Sequence, residues 1–207
     1  MNTTIWSEVI WTIARAGGFT AYLLITLSVV VGLALSIQLQ SPIRWPRLIN
    51  SELHNFLSLL GLIFTIVHVL AVWIDPFTRF GWSEVFIPLV SHYRTIGVAL
   101  GITALYLGIA IGISTWLRPR IGYQWWRRLH VLTLLIFALV TIHGIVTGSN
   151  SNTWWAIGMY SVSSALVSVL LVLRLRKTAK AKHRSAPALA VDKKMDQPQI
   201  MVHAKAR

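Results

Sequence analysis

The chain of 207 residues contains no cysteine, which excludes disulfides, thiolate metal sites, iron–sulfur ligation and thioether attachment of a cofactor. Any metal must be held by His, carboxylate or Met. Charge is scarce: Asp, Glu, Lys and Arg make up 12% of the residues, about half the share of an ordinary soluble domain. Acidic residues are scarcest, six in all against 19 Lys and Arg. Hydrophobic residues make up 55% and Trp numbers ten, so the chain reads as a set of membrane spans followed by a tail. Met1 to Ile13 lacks a basic stretch ahead of a short apolar core, and no cleaved signal peptide is expected.

Five apolar runs, near 15–38, 53–74, 95–117, 127–148 and 154–174, are each long enough to cross about 30 Å of hydrocarbon as a helix. The predicted fold class is therefore all-α, an integral membrane bundle of five transmembrane helices. Pro-bearing connectors, Ser41 to Arg47 and Arg118-Pro119-Arg120, and the polar hairpin Thr147 to Asn152 punctuate the runs. Eight of the Trp fall at span ends or in connectors, as interfacial anchors do. The stretch Asp75 to His92 is too short to span, and reads as a re-entrant or interfacial segment between spans 2 and 3. The expected organisation is an external N-terminal segment at 1–14, a membrane domain at 15–175 and a basic disordered tail at 176–207, without internal repeat or soluble domain.

The net charge of +13 is unevenly placed: from Arg174 to Arg207 ten Lys or Arg stand against two Asp. A basic tail directly after an apolar span marks the cytoplasmic side and an anionic lipid surface, and no nucleic-acid partner is expected. Arg44, Arg47, Arg118, Arg120, Arg127 and Arg128 lie on the same side as the tail. Arg15, Arg79 and Arg94 lie opposite, offset by Glu8, Asp75 and Glu84. The distribution of basic residues predicts a cytoplasmic C-terminus and an external N-terminus in a multi-pass cell-membrane protein.

Four of the seven His lie in or at the ends of two spans: His54 and His68 on the second, His130 and His143 on the fourth. Ionisable residues within a span are functional candidates by default. Spans 2 and 4 run in the same direction, so His54 pairs in depth with His130 near the cytoplasmic end, and His68 with His143 near the outer end. The 14- and 13-residue separations put about 20 Å of axial rise between the two levels. Two opposed imidazoles at each level suit the axial positions of a six-coordinate b-type haem, a geometry for electron transfer and not for oxygen binding. A proton or cation pathway would recruit carboxylates, and none lies inside these runs.

Phase is the awkward part. Fourteen residues leave His54 and His68 about 40° apart on one helical face, but thirteen leave His130 and His143 about 140° apart. The fourth helix must deviate from ideal winding, or its two cofactors approach from different directions. Gly61 stands seven residues from both His54 and His68 and is expected to leave room for a macrocycle edge. Phe137, between the levels, reads as packing or as a spacer, with packing favoured. His92, in the outer connector, reads as solvated or as part of an acceptor site.

With these residues in view, the chain resembles the ferric reductase-like transmembrane domain shared by ferric reductases, NADPH oxidases and the haem-binding membrane subunit of periplasmic methionine sulfoxide reductase. The resemblance rests on His54 and His68 with thirteen residues between, and His130 and His143 with twelve. It is supported by Ala14-Arg15-Ala16-Gly17 and Trp126-Arg127-Arg128-Leu129-His130, and spans roughly 10–175. It implies two haem b groups, the inner one ligated by His54 and His130 and the outer by His68 and His143. It further implies electrons passed from a cytoplasmic-side donor to an external acceptor. No flavin or nicotinamide site is expected in this chain, since the tail has no Gly-rich phosphate loop, so the donor would be a separate flavin reductase or membrane quinol. Propionates need cations near the interface: Arg127 and Arg128 for the inner haem, Arg94, with Arg79, for the outer, although these Arg could equally just anchor span ends. Rival readings are a haem-bearing subunit feeding an external reductase, a metal- or proton-handling transporter or anchor, and an assembly subunit with structural His.

Overall fold

The computed structural model describes residues 3–37, 47–76 and 78–195, with side chains over 5–37, 51–76 and 78–180. Most of these residues are helical: α1 Thr3–Ser36, α2 Arg47–Ile74, α3 Trp82–Phe86, α4 Thr95–Trp116, α5 Arg118–Ile121, α6 Tyr123–His130, α7 Thr133–Thr147 and α8 Trp154–Met195. Among the described residues there is no strand. Five stretches are long and apolar enough to cross a membrane: Ile5–Ser36, Ser51–Ile74, Thr95–Trp116, Tyr123–Thr147 and Trp154–Lys180. Their backbone groups are satisfied within each helix, the condition hydrocarbon imposes on a spanning segment. Apolar side chains left exposed along α2, among them Phe56, Leu59, Ile63, Ile66 and Leu70, recur every three to four residues as a stripe suited to a lipid or cofactor neighbour.

Two ends differ from the sequence reading. The 1–14 segment is continuous with the first span from Thr3 onward. At the other end α8 runs through Met195, where a disordered tail was expected from 176. Extending a formed helix avoids the nucleation step, and Ala, Lys and Arg, strong helix formers, make up most of residues 176–195, with Pro187 as the breaker among them. The connector from Ser41 to Pro46, and the tail beyond Met195, lie outside the described residues.

The helices pack as pairs. α1 lies antiparallel along α2, and α4 along α7, while α8 and α7 close on α1. The core sits at that last junction: Tyr22, Val29, Leu33, Ile37, Phe137, Ala156, Tyr160, Val167 and Leu170 are buried together. Tyr22 is its hub, stacked on Phe137 at 6.1 Å and edge-on to Tyr160 at 4.9 Å. Phe137 is 7% exposed, so it is a packing residue between the two histidine levels. Arg15 donates to Asn150 Oδ1 at 3.1 Å and ties the start of α1 to the α7–α8 hairpin. α2 and α7 are not packed along each other.

The segment between α2 and α4 holds the short helix α3. Glu84, buried, accepts from the Gly81 amide at 3.0 Å and pairs with His92 Nδ1 at 2.7 Å, closing the loop on itself. Trp82 packs on Trp73 with ring centres 3.9 Å apart. Tyr106, eleven residues into α4, donates to Phe86 O at 2.5 Å. Tyr106 lies about 16 Å along the axis from the start of α4, so the segment folds back along the flank of α4.

Candidate functional site

The space between α2 and the crossing formed by α6 and α7 holds the four histidines in two pairs. His54 and His130 face each other with ring centres 5.9 Å apart and planes at 78°. His68 and His143 do so at 6.3 Å and 76°. The sequence reading paired these residues by depth, and the fold brings each pair together.

Three of the rings are held in one way. His68 Nδ1 lies 2.7 Å from Ala14 O on α1, His54 Nδ1 2.9 Å from Ser28 O on α1, and His143 Nδ1 2.8 Å from Gly97 O on α4. A carbonyl only accepts, so Nδ1 carries the proton in each and Nε2 keeps its lone pair. In every case a glycine stands four residues after the accepting carbonyl: Gly18, Gly32 and Gly101. A helical side chain lies over the turn N-terminal to its own Cα. A Cβ at Gly101 would accordingly lie 2.7 Å from His143 Nδ1, one at Gly18 3.0 Å from His68 Nδ1, and one at Gly32 3.2 Å from His54 Cε1. The missing side chain opens a notch in which the ring reaches a carbonyl already engaged in the helix. At the first level Ser28 Oγ adds a contact to His54 Nδ1 at 3.1 Å and to Ser58 Oγ at 2.7 Å.

His130 is held differently. Among the described residues its Nδ1 is buried without a hydrogen-bond partner, and its ring lies on Trp126 at 4.8 Å and 27°. It closes α6, immediately before a break in the fourth span at Val131–Leu132. There Leu132 N bonds Leu129 O at 3.0 Å and Leu134 N bonds Val131 O at 3.1 Å. These are i→i+3 bonds, which wind at about 120° per residue instead of 100°. The tighter winding recovers part of the missing rotation between His130 and His143, and the Thr133 hydroxyl donates to the His130 carbonyl at 2.8 Å. Of the two alternatives the spacing left open, deviation from ideal winding is the one seen in the backbone.

Other expected residues are placed as follows. Gly61 is a correction: a Cβ there would meet Ile25 and Leu24 of α1 at 3.4 and 3.6 Å. Its bareness lets α1 and α2 approach and opens no room for a macrocycle. Arg94, in left-handed conformation, donates to Val146 O and lies 5.6 Å from the Tyr93 ring, at the end of the bundle nearest His143. Arg79 turns back to Pro76 O at 3.2 Å. Arg127 and Arg128 are exposed one turn or less before His130, and Arg128 lies 4.9 Å from the Trp125 ring. His92 is largely exposed.

The pairs can be tested against haem. A coordinated imidazole nitrogen sits about 2.0 Å from the metal and roughly 1.1 Å from its ring centre, so two rings holding one metal between them would have centres about 6.2 Å apart. The observed 5.9 and 6.3 Å fit. Among the described residues no group of three or more His, Cys, Asp or Glu converges as a metal cage. Two protein nitrogens per site suit a metal that brings its other ligands in a macrocycle.

No curated protein and no solved structure matches the chain. The family model of the ferric reductase like transmembrane component matches residues 17–142, more than half of the chain. The match contains His54, His68 and His130 and stops one residue short of His143. With its membrane helices and this match, the chain belongs to the ferric reductase-like transmembrane family, which makes it a membrane oxidoreductase component.

Proposed function

We propose that the chain is a transmembrane b-type cytochrome that binds two haems, one between His54 and His130 and one between His68 and His143. The observation that carries this reading is the pair of ring separations, each matching two axial imidazoles on one iron. Bound there, haem iron supplies reversible one-electron redox chemistry at two depths of the membrane.

The chain's own residues do the rest. The Ala14, Ser28 and Gly97 carbonyls fix the ring orientation of three ligands and make them stronger donors. The apolar helices keep water from the site. Arg94, with Arg79, would offset propionates at one level, and Arg127 and Arg128 at the other. The donor is a separate protein, such as a flavin reductase, or membrane quinol, on the cytoplasmic side, and the acceptor is external. The basic extension of α8 rests on anionic lipid, and the N-terminus faces outside.

Protein purified from haem-sufficient cells is expected to be red, with the reduced-minus-oxidised spectrum of low-spin b haem and two haems per chain. His68→Leu or His143→Leu should lower the ratio to one. Full haem content in all four single His→Leu variants would refute the ligand assignment.

A further inference from the structure

Three of the four histidines share the carbonyl-and-glycine notch, and His130 has none. Among the described residues its Nδ1 is buried and unpartnered, so no hydrogen bond at Nδ1 fixes its rotation. What it has is a face: Trp126, one turn earlier on α6, stacks on it at 4.8 Å and 27°. Trp126 is itself fixed from three sides. Its Nε1 donates to Thr115 Oγ1 of α4 at 3.1 Å, the Arg118 guanidinium of α5 lies 4.6 Å from its ring centre, and Tyr123 packs on it at 5.6 Å. A Trp serving only as an interfacial anchor would turn its N–H to headgroups and water. Here the N–H is spent on a neighbouring helix.

We infer that Trp126 is a positioning residue that sets the rotation of the His130 imidazole in place of the missing hydrogen bond. This rests on the haem reading above. The angle between the His54 and His130 planes, 78°, is the quantity Trp126 controls. In a bis-imidazole ferric haem that angle governs the spread of the low-spin electron paramagnetic resonance g values. The effect is confined to one of the two sites, because His68 and His143 are held by carbonyls on other helices.

The test is the ferric resonance spectrum and the redox titration of the full-length protein, with His143→Leu used to assign the first-level signal. Trp126→Leu is expected to shift that signal and its midpoint, or to lower haem from two to one per chain, while the second-level signal stays in place. Trp126→Phe, which keeps a stacking face, should restore the wild-type signal. Thr115→Val, which frees the Trp126 N–H, should shift the same signal less. Two signals unmoved in Trp126→Leu, or both moved together, would overturn the inference and leave Trp126 an anchor. If Trp126→Leu does not accumulate, an unmoved signal in Thr115→Val overturns it. A wild type with no low-spin haem signal would instead bring down the haem reading beneath it.

Discussion

At the scale of single residues, the site depends as much on glycines as on histidines. Gly18, Gly32 and Gly101 are graded by how closely an added Cβ would approach the ring, and the grading sets an order of effects. Gly101→Ala places a methyl 2.7 Å from two His143 ring atoms. Displacing an outer-shell contact of this kind is expected to weaken second-level haem binding about 10–100-fold. Gly32→Ala, with its nearest atom at 3.2 Å and the next at 3.4 Å, should stay within a few-fold of wild type. Haem content after a dilution series of each purified variant gives the comparison, and equal affinities would contradict the notch. The four histidines were legible in the sequence because few side chains are so costly in hydrocarbon. The glycines were not, because their role depends on which helix face meets which ring. A trace was there: Gly18 and Gly32 repeat the 14-residue spacing of His68 and His54 on an antiparallel partner. Gly61 was misread because its place on the histidine face is also the face that meets α1.

At the scale of elements, α6 and α7 form one membrane crossing with a change of winding just after His130. The spacing of 13 residues left such a change as one of two alternatives, and the sequence Leu129-His130-Val131-Leu132-Thr133 carries no Pro or Gly to mark it. The i→i+3 bonds and the Thr133 hydroxyl show how the backbone accommodates it. Beyond the break α7 is held by Phe137 stacked on Tyr22 of α1. Phe137→Ala should therefore cost on the order of 3 kcal/mol of stability through the cavity it leaves. The haem absorption spectrum of the folded fraction should remain unchanged. Thermal unfolding monitored alongside the haem band separates the two effects, and a changed spectrum at full occupancy would make Phe137 part of the cofactor site.

At the scale of the whole molecule, the five crossings were readable from hydropathy alone, since a helical span takes about 20 apolar residues in a row. Helix pairing was not readable, because lipid-facing and helix-facing residues are equally apolar, as α2 illustrates. Orientation rests on the Arg asymmetry and can be measured directly, since the native chain has no cysteine. A membrane-impermeant maleimide on intact cells is expected to label Ser149→Cys in the α7–α8 hairpin and to spare Gln124→Cys beside Arg118 and Arg120. The reverse pattern would invert the direction proposed for electron flow.

The arrangement itself is tested most directly by locating iron. Anomalous scattering at the iron edge from crystals of the protein purified with ample haem should give two peaks about 20 Å apart, one between His54 and His130 and one between His68 and His143. No iron at either position, or iron ligated by other side chains, would contradict the account.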